Sequence, residues 1–141
     1  MIYFFNEKIP FPFKGKKQSA KLQIKCLIEK ENRKVGNLCF IFCTDGFLLD
    51  INSKHLGHNY YTDVITFDYT VNNTVSGDIF VSVERVDENA REFGVSFNHE
   101  LSRVMYHGVL HLCGYGDKSK EEKQIMRTKE DFYLKTLSII E

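Results

Sequence analysis

The amino-acid sequence predicts a mixed α/β protein: a small, mostly four-stranded mixed sheet covered by about five helices, in a single domain over residues 1–141. Three observations carry this reading. Segments of strand type and segments of helical period interleave along the chain. The run LCFIFC at 38–43 is apolar on both faces, as a strand in the middle of a covered sheet would be. The stretch holding Leu101, Val104, Met105, Val109, Leu110 and Leu112 is apolar nearly all round, which marks a helix buried at the centre.

Residues 1–6 read as a short strand, after which Pro10, Pro12 and Gly15 break regular structure. From Ser19, a candidate N-cap, Ala20, Ile24, Leu27 and Ile28 recur at helical spacing with Lys21, Lys25, Glu29 and Lys30 opposite, giving an amphipathic helix that ends before Gly36. The central strand 38–43 follows, then a Thr44-Asp45-Gly46 turn and a short helix through Phe47, Leu48, Leu49 and Ile51. DVITFDY at 63–69 and DIFVSV at 78–83 read as neighbouring antiparallel strands around an Asn72-Asn73, Ser76-Gly77 loop. Val86, Ala90 and Phe93 form one helical stripe stopped at Gly94, and Asn98 or Ser96 caps the central helix. A polar segment from Ser119 to Lys129 leads into a last helix packed through Phe132, Leu134, Leu137 and Ile140.

Composition excludes several classes. With 43% hydrophobic and 27% charged residues the chain is neither low-complexity nor disordered, and a chain of 141 residues can build a core without disulfide staples. Its longest apolar runs fall far short of the ~20 residues that cross a bilayer, so no membrane span is expected. The start, MIYFFNEKIP, lacks a positive n-region and sets polar residues where a signal peptide needs an apolar core, so a cytoplasmic protein is expected. The 19 basic and 19 acidic side chains cancel, yet residues 1–34 hold nine and three of them, leaving +6 there and −6 in the remainder. Cys26, Cys39, Cys43 and Cys113 show no Cys-x-x-Cys spacing and read as free thiols. On one strand, Cys39 and Cys43 share a face at about 13 Å, too far apart for one ion, so both are expected in the core.

The chemistry sits in HGVLHLCGYGD at 107–117. On a helix His107 and His111 stack on one face, close enough for both rings to bind one metal ion at ~2.0–2.1 Å. Gly114 can take positive φ, end the helix and let the chain fold back so that Asp117 becomes the third ligand. The resulting His-x3-His-x2-Gly-x2-Asp pattern is close to that of metzincin peptidases. Their general-base glutamate, however, falls on Gly108, which argues against peptidase chemistry.

HGVLHLCGY, together with TDVITF at 62–67 and GDIFVS at 77–82, resembles the YbeY family of bacterial metal-dependent endoribonucleases acting in ribosomal RNA maturation. Its members show His-Gly-x-Leu-His-Leu-x-Gly-Tyr-Asp-His, Thr-Asp-Val-Leu-Ser-Phe and Gly-Asp-Ile in this order at similar spacing. The resemblance implies a small sheet covered by helices and one Zn²⁺ per chain, held by three histidines of the long motif. Carried over by position, two of these are His107 and His111. The third falls on Asp117 and the preceding aspartate on Gly116, so the expected ligands are two imidazoles and one carboxylate. An anionic ligand leaves Zn²⁺ less positive, so activity is expected to need higher pH than with three imidazoles. The family's Tyr-Arg-Gly-Lys-Asp segment falls on His55-Leu56-Gly57-His58-Asn59, which puts Leu56 at the phosphate-assisting arginine. The role is either vacant here or moved to Lys54, His55, His58 or Arg103, and His58 is chosen as the catalytic residue.

The implied function is single-strand-specific hydrolysis of RNA phosphodiesters in 16S rRNA 3′-end maturation and ribosome quality control, with small-subunit ribosomal proteins as further partners. Glu100, seven residues before His107, reads as a dipole partner of the helix N-terminus and stays outside the site. Asp63 and Asp78 read as strand caps or as acceptors for a ligand N–H. Two rivals stand beside this reading. One is a non-catalytic RNA- or protein-binding assembly module with a structural metal. The other is a two-His-one-carboxylate Fe(II) oxygenase, which a helical His-x3-His run suits less well.

Overall fold

A computed structural model describes residues 1–13, 15–58 and 60–137. Strand β1 (Ile2–Asn6), helix α1 (Lys17–Lys30), strand β2 (Lys34–Cys43) and helix α2 (Asp45–Leu56) form the first half. Strands β3 (Val64–Asp68) and β4 (Thr74–Ser82) and helices α3 (Val83–Phe93), α4 (Phe97–Leu112) and α5 (Lys120–Thr136) form the second. The sheet runs β1-β2-β4-β3, with β1, β2 and β4 parallel and β3 antiparallel to β4. The mixed α/β architecture expected from the sequence is therefore present, with four strands and five helices among the described residues.

Alternation along the strands makes two cores of unequal depth. Leu38, Phe40 and Phe42 of β2 and Val75, Ile79 and Val81 of β4 point to one face, where α1 and α4 bury them with Ile24, Leu27, Leu101 and Met105. Fully burying side chains of this kind is worth roughly 1.5–3 kcal/mol each. The opposite face carries a smaller cluster of Cys43, Leu48 and Ile65 under α2, with Ile51, Phe67 and Phe80 half-buried. Cys39 lies on this thinly covered face and is only half-buried, not in the core as expected, whereas Cys43 is fully buried; all four thiols are free.

Helix α4 is the central element, as its all-round apolar pattern requires, and lies against β3 and β4 with Ser96 as its N-cap. Gly108 makes the close approach possible. A Cβ built there would sit 2.8 Å from Ile79 Cγ2 and 3.5 Å from Thr66 Cγ2. Gly108→Ala is thus expected to destabilise the fold by ~1–3 kcal/mol through overpacking, against the usual helix-favouring sign of that substitution. Urea unfolding measures it, and an unchanged or raised midpoint would show that α4 can lift off the sheet without cost.

Several boundaries differ from expectation, each because a partner outweighs a local pattern. Helix α1 starts after Lys16 rather than at Ser19, and it stops at Lys30, where the following turn passes through Asn32 at φ 60°. Gly36 is no helix stop but part of β2, pressed on β4 where a Cβ would lie 2.1 Å from Ser76 Oγ and 2.7 Å from the Val75 carbonyl. Thr44 caps α2 by accepting from Phe47 N–H instead of making a turn, so that helix is longer than read. Strand β4 begins at Thr74, not residue 78. Helix α5 begins at Lys120, where Ser119 and Glu122 form a reciprocal capping box, so most of the polar segment is helix. Phe93 and Phe132, expected to pack, are exposed: α3 buries Val86 and Ala90 and leaves its last residue outside, and the buried side of α5 runs through Met126, Glu130 and Tyr133. Leu137 is buried, and Ile140 lies outside the described residues.

Candidate metal centre

Helix α4 presents His107 and His111 one turn apart on the flank that meets α5 and the turn after α4, with side chains 17% and 23% exposed. The helix closes at Cys113, and Gly114 turns the chain at φ +105°, a conformation a side chain would strain. That turn brings Tyr115 back so that its N–H donates to the Leu110 carbonyl at 3.1 Å, and it carries Asp117 over the two rings. Asp117 Oδ2 lies 3.1 Å from His111 Nε2 and 3.3 Å from His107 Nε2, and the two Nε2 atoms are 2.9 Å apart. Among the described residues these three are the group of metal-ligating side chains that converges, as the sequence spacing predicts.

The surroundings decide what the convergence can do. His107 Nδ1–H donates to Glu130 Oε2 at 2.6 Å, and His111 Nδ1–H donates to the Tyr115 carbonyl at 2.8 Å. With both Nδ1 atoms facing acceptors, each neutral ring turns an Nε2 lone pair toward the other and toward the Asp117 carboxylate. Three lone pairs at 2.9–3.3 Å repel one another unless a proton or a metal ion stands among them. Donors shared by one tetrahedral ion at ~2.0–2.2 Å stand about 3.3–3.5 Å apart, so the residues fit a small divalent ion.

The acceptors are not the ones expected. Neither Asp63 nor Asp78 takes a ligand N–H: Asp63 accepts from Asn89 and lies 3.7 Å from Arg103, while Asp78 accepts from Tyr69. The His107 acceptor is Glu130 of α5, buried to 2% exposure. Burial pushes its carboxyl up, but the His107 N–H and the Arg103 guanidinium outweigh that and hold it below the usual range. Arg103 donates to Glu130 at 3.1 Å and to Glu100 at 2.9 Å, so Glu100 is a buried partner of this network as well as a first-turn acid. The sequence does carry a signal for Glu130: it stands at i+4 from Met126 and i−3 from Tyr133, a charge inside a buried stripe.

A second missed residue is Glu31, just past α1. Its carboxylate accepts from the hydroxyls of Tyr115 and Tyr133 and from Lys129 Nζ, tying the metal-site loop to α1 and α5. Burial pushes the Glu31 pKa up, but the two tyrosines and Lys129 together bring it below the ordinary 4.5. A carboxyl depressed by folding stabilises fully above 4.5, and the contribution is lost as pH falls through the lower folded value. The expected result is a stability gap between wild type and Glu31→Gln that is constant above about pH 4.5 and shrinks below it. Urea midpoints across pH 3–7 read the gap, and one that widens on acidification would contradict the assignment.

His107 and Asp117 open onto a cleft of about 250 Å³, whose walls also include Arg103, Lys123, Met126, Arg127 and Glu130. His58 lies past the end of α2, with its ring stacked on Tyr60 at 5.3 Å and its backbone N–H donating to the Asn52 carbonyl. Asn59 beside it is outside the described residues. His55 lines a different depression with Phe67, Tyr69, Asp78 and Phe80, and Lys54 pairs with Asp50.

Comparison with known proteins agrees with this fold. The family model described as Endoribonuclease YbeY matches residues 4–138. A Flavobacterium psychrophilum protein named Endoribonuclease YbeY is 46% identical over 135 residues, 96% of both chains. One of the same name from Flavobacterium johnsoniae is 53% identical over 108 residues, 77% of this chain and 78% of that protein. The solution structure of TM1509 from Thermotoga maritima superimposes with a TM-score of 0.68 at 31% identity, covering 96% of this chain and 87% of that one. With a model match over nearly the whole chain and relatives this close, the protein belongs to the YbeY endoribonuclease family.

Proposed function

We propose that residues 1–141 form a zinc-dependent, single-strand-specific endoribonuclease that hydrolyses RNA phosphodiesters in 16S rRNA 3′-end maturation and ribosome quality control. Family membership supports the reaction class. The observation that carries the reading is the convergence of His107 Nε2, His111 Nε2 and Asp117 Oδ2 within 2.9–3.3 Å of one another. One Zn²⁺ per chain suits two imidazoles and a carboxylate, and when bound it polarises a phosphoryl oxygen and acidifies water, less strongly than with three neutral ligands.

The protein's own part is preorganisation. Glu130 and the Tyr115 carbonyl lock both rings in the tautomer that offers Nε2, so ring orientation costs nothing at the moment of reaction. Asp117 is 41% exposed, so the cleft stays open on the solvent side where a strand of RNA can enter. His58 is proposed as a phosphate contact from the segment that matches the family's Tyr-Arg-Gly-Lys-Asp. Partners are then single-stranded and ribosomal RNA together with small-subunit ribosomal proteins, met in the cytoplasm. No helix among the described residues is long and apolar enough to cross a membrane.

The test is cleavage of a labelled single-stranded oligoribonucleotide and of its duplex by wild type, Asp117→Ala and His58→Ala. The expected result is cleavage of the single strand alone, abolished in Asp117→Ala with RNA binding retained, and slowed at full metal content in His58→Ala. Wild type that binds RNA and never cuts it would instead identify an assembly module with a structural metal. Oxygen consumption after anaerobic iron loading would point to the oxygenase alternative.

A further inference from the structure

The cleft beside the metal centre has a cationic wall that the family's motifs do not describe. Leu56 stands at the position matched to the family's arginine, so the phosphate-binding charge must come from elsewhere. Arg103 is already committed: its guanidinium donates to both Glu100 oxygens and to Glu130, and its side chain is 13% exposed. Lys54 is paired with Asp50 on α2. The cations that share a cleft with His107 and Asp117 and keep their heads in solvent are Lys123 and Arg127 of α5.

Their placement follows from the α5 register. Positions 123 and 127 are one turn apart on the same helix side, about 6 Å along the axis, while Met126 and Glu130 turn inward. Arg127 is 56% exposed, and its one ion pair among the described residues is a loose 3.8 Å contact with Glu130, so most of its N–H fork is available. Lys123 makes no ion pair among the described residues. Arg103 is offset by Glu100 and Glu130, so of the cations in the cleft lining Lys123 and Arg127 are the ones left to attract a phosphodiester at its mouth.

We propose that Arg127 and Lys123 are further phosphate-contacting residues, on the wall of this cleft, holding phosphates that flank the bond at the metal centre. Arg127 offers its fork to non-bridging oxygens, and Lys123, one turn away, acts as a point charge on the next phosphate. The inference rests on the nuclease reading for its substrate, but it concerns binding and is decided without cleavage.

The experiment uses the metal-loaded full chain. Fluorescence anisotropy with a nuclease-resistant 2′-O-methyl oligouridylate is measured over a salt series for wild type, Arg127→Ala, Lys123→Ala, Arg127→Lys and the double alanine variant. Arg127→Ala is expected to weaken binding about tenfold and to flatten the salt slope by ~0.7 for each phosphate that is no longer neutralised, with Lys123→Ala smaller and Arg127→Lys a partial rescue. Metal content stays at the wild-type level, and where cleavage is seen KM rises with kcat nearly unchanged. The proposal is overturned if the double variant matches wild type in affinity and salt slope. It is equally overturned if Arg127→Ala loses metal, because Arg127 would then act through Glu130. Wild type that binds but does not cut removes the nuclease reading and leaves this result standing, whereas wild type that binds no RNA removes both.

Discussion

Replacing His111 by alanine is expected to take the purified protein from about one zinc per chain to less than a tenth of that, with RNA cleavage lost alongside. The proposed site has three protein ligands, so the variant would keep only His107 and Asp117, a pair that holds an ion in competition with water far less well. The fold should survive, because the side chain removed is partly exposed and its one protein hydrogen bond outside the ligand cluster is that to the Tyr115 carbonyl, worth ~0.5–1.5 kcal/mol. Elemental analysis of natively purified protein, never exposed to chelator or a nickel column, measures the difference. Thermal melts supply an independent readout. An ion that binds the folded state alone raises the melting temperature, so chelator should lower the midpoint of wild type and leave that of His111→Ala unchanged. Equal metal in both proteins would move the site elsewhere. No metal in either would leave the convergent lone pairs unexplained and favour protonated histidines paired with Asp117.

What could be read from the sequence was what short-range geometry dictates. The His107–His111 pair depends only on the helical period, and the turn that delivers Asp117 depends only on Gly114 adopting positive φ, so the convergence of the three side chains follows from eleven consecutive residues. Helix α4 was legible because a helix apolar all round has nowhere to go but the centre. Gly36 was misplaced because its reason is a strand 40 residues away, and no local pattern reports that approach. The first half of α5 looked like a loop because Ile125 and Met126 are its only apolar residues before Phe132, too few to show a period. The capping sequence Ser119-x-x-Glu122 was the local signal that could have corrected it. Glu130 and Glu31 were missed for one shared reason. A carboxylate that partners a ligand or its loop is identified by what lies across the helix interface, and that is tertiary information.

The largest stability effect should come from Glu130. Glu130→Ala leaves His107 Nδ1–H without an acceptor and leaves Arg103, 13% exposed, with Glu100 as its principal remaining partner. Breaking a buried charge network by removing one member costs about 3–5 kcal/mol, a large share of the stability of a domain this size. The same change frees the His107 ring to rotate or switch tautomer, and losing a partner of this kind typically lowers metal affinity by 10–100-fold. Glu130→Gln separates the two effects. Its amide oxygen can still accept from His107, so the ring stays oriented and affinity should fall less, whereas the buried positive charge of Arg103 loses a counter-ion and stability still drops. Urea unfolding of the chelated proteins reads the first quantity, and competition with a zinc chelator reads the second. Glu130→Ala with an unchanged midpoint would mean that Arg103 is already neutralised by Glu100 and Asp63. Unchanged zinc affinity would mean that the edge-on packing of His107 against His111, rather than the Glu130 hydrogen bond, sets which nitrogen faces the ion.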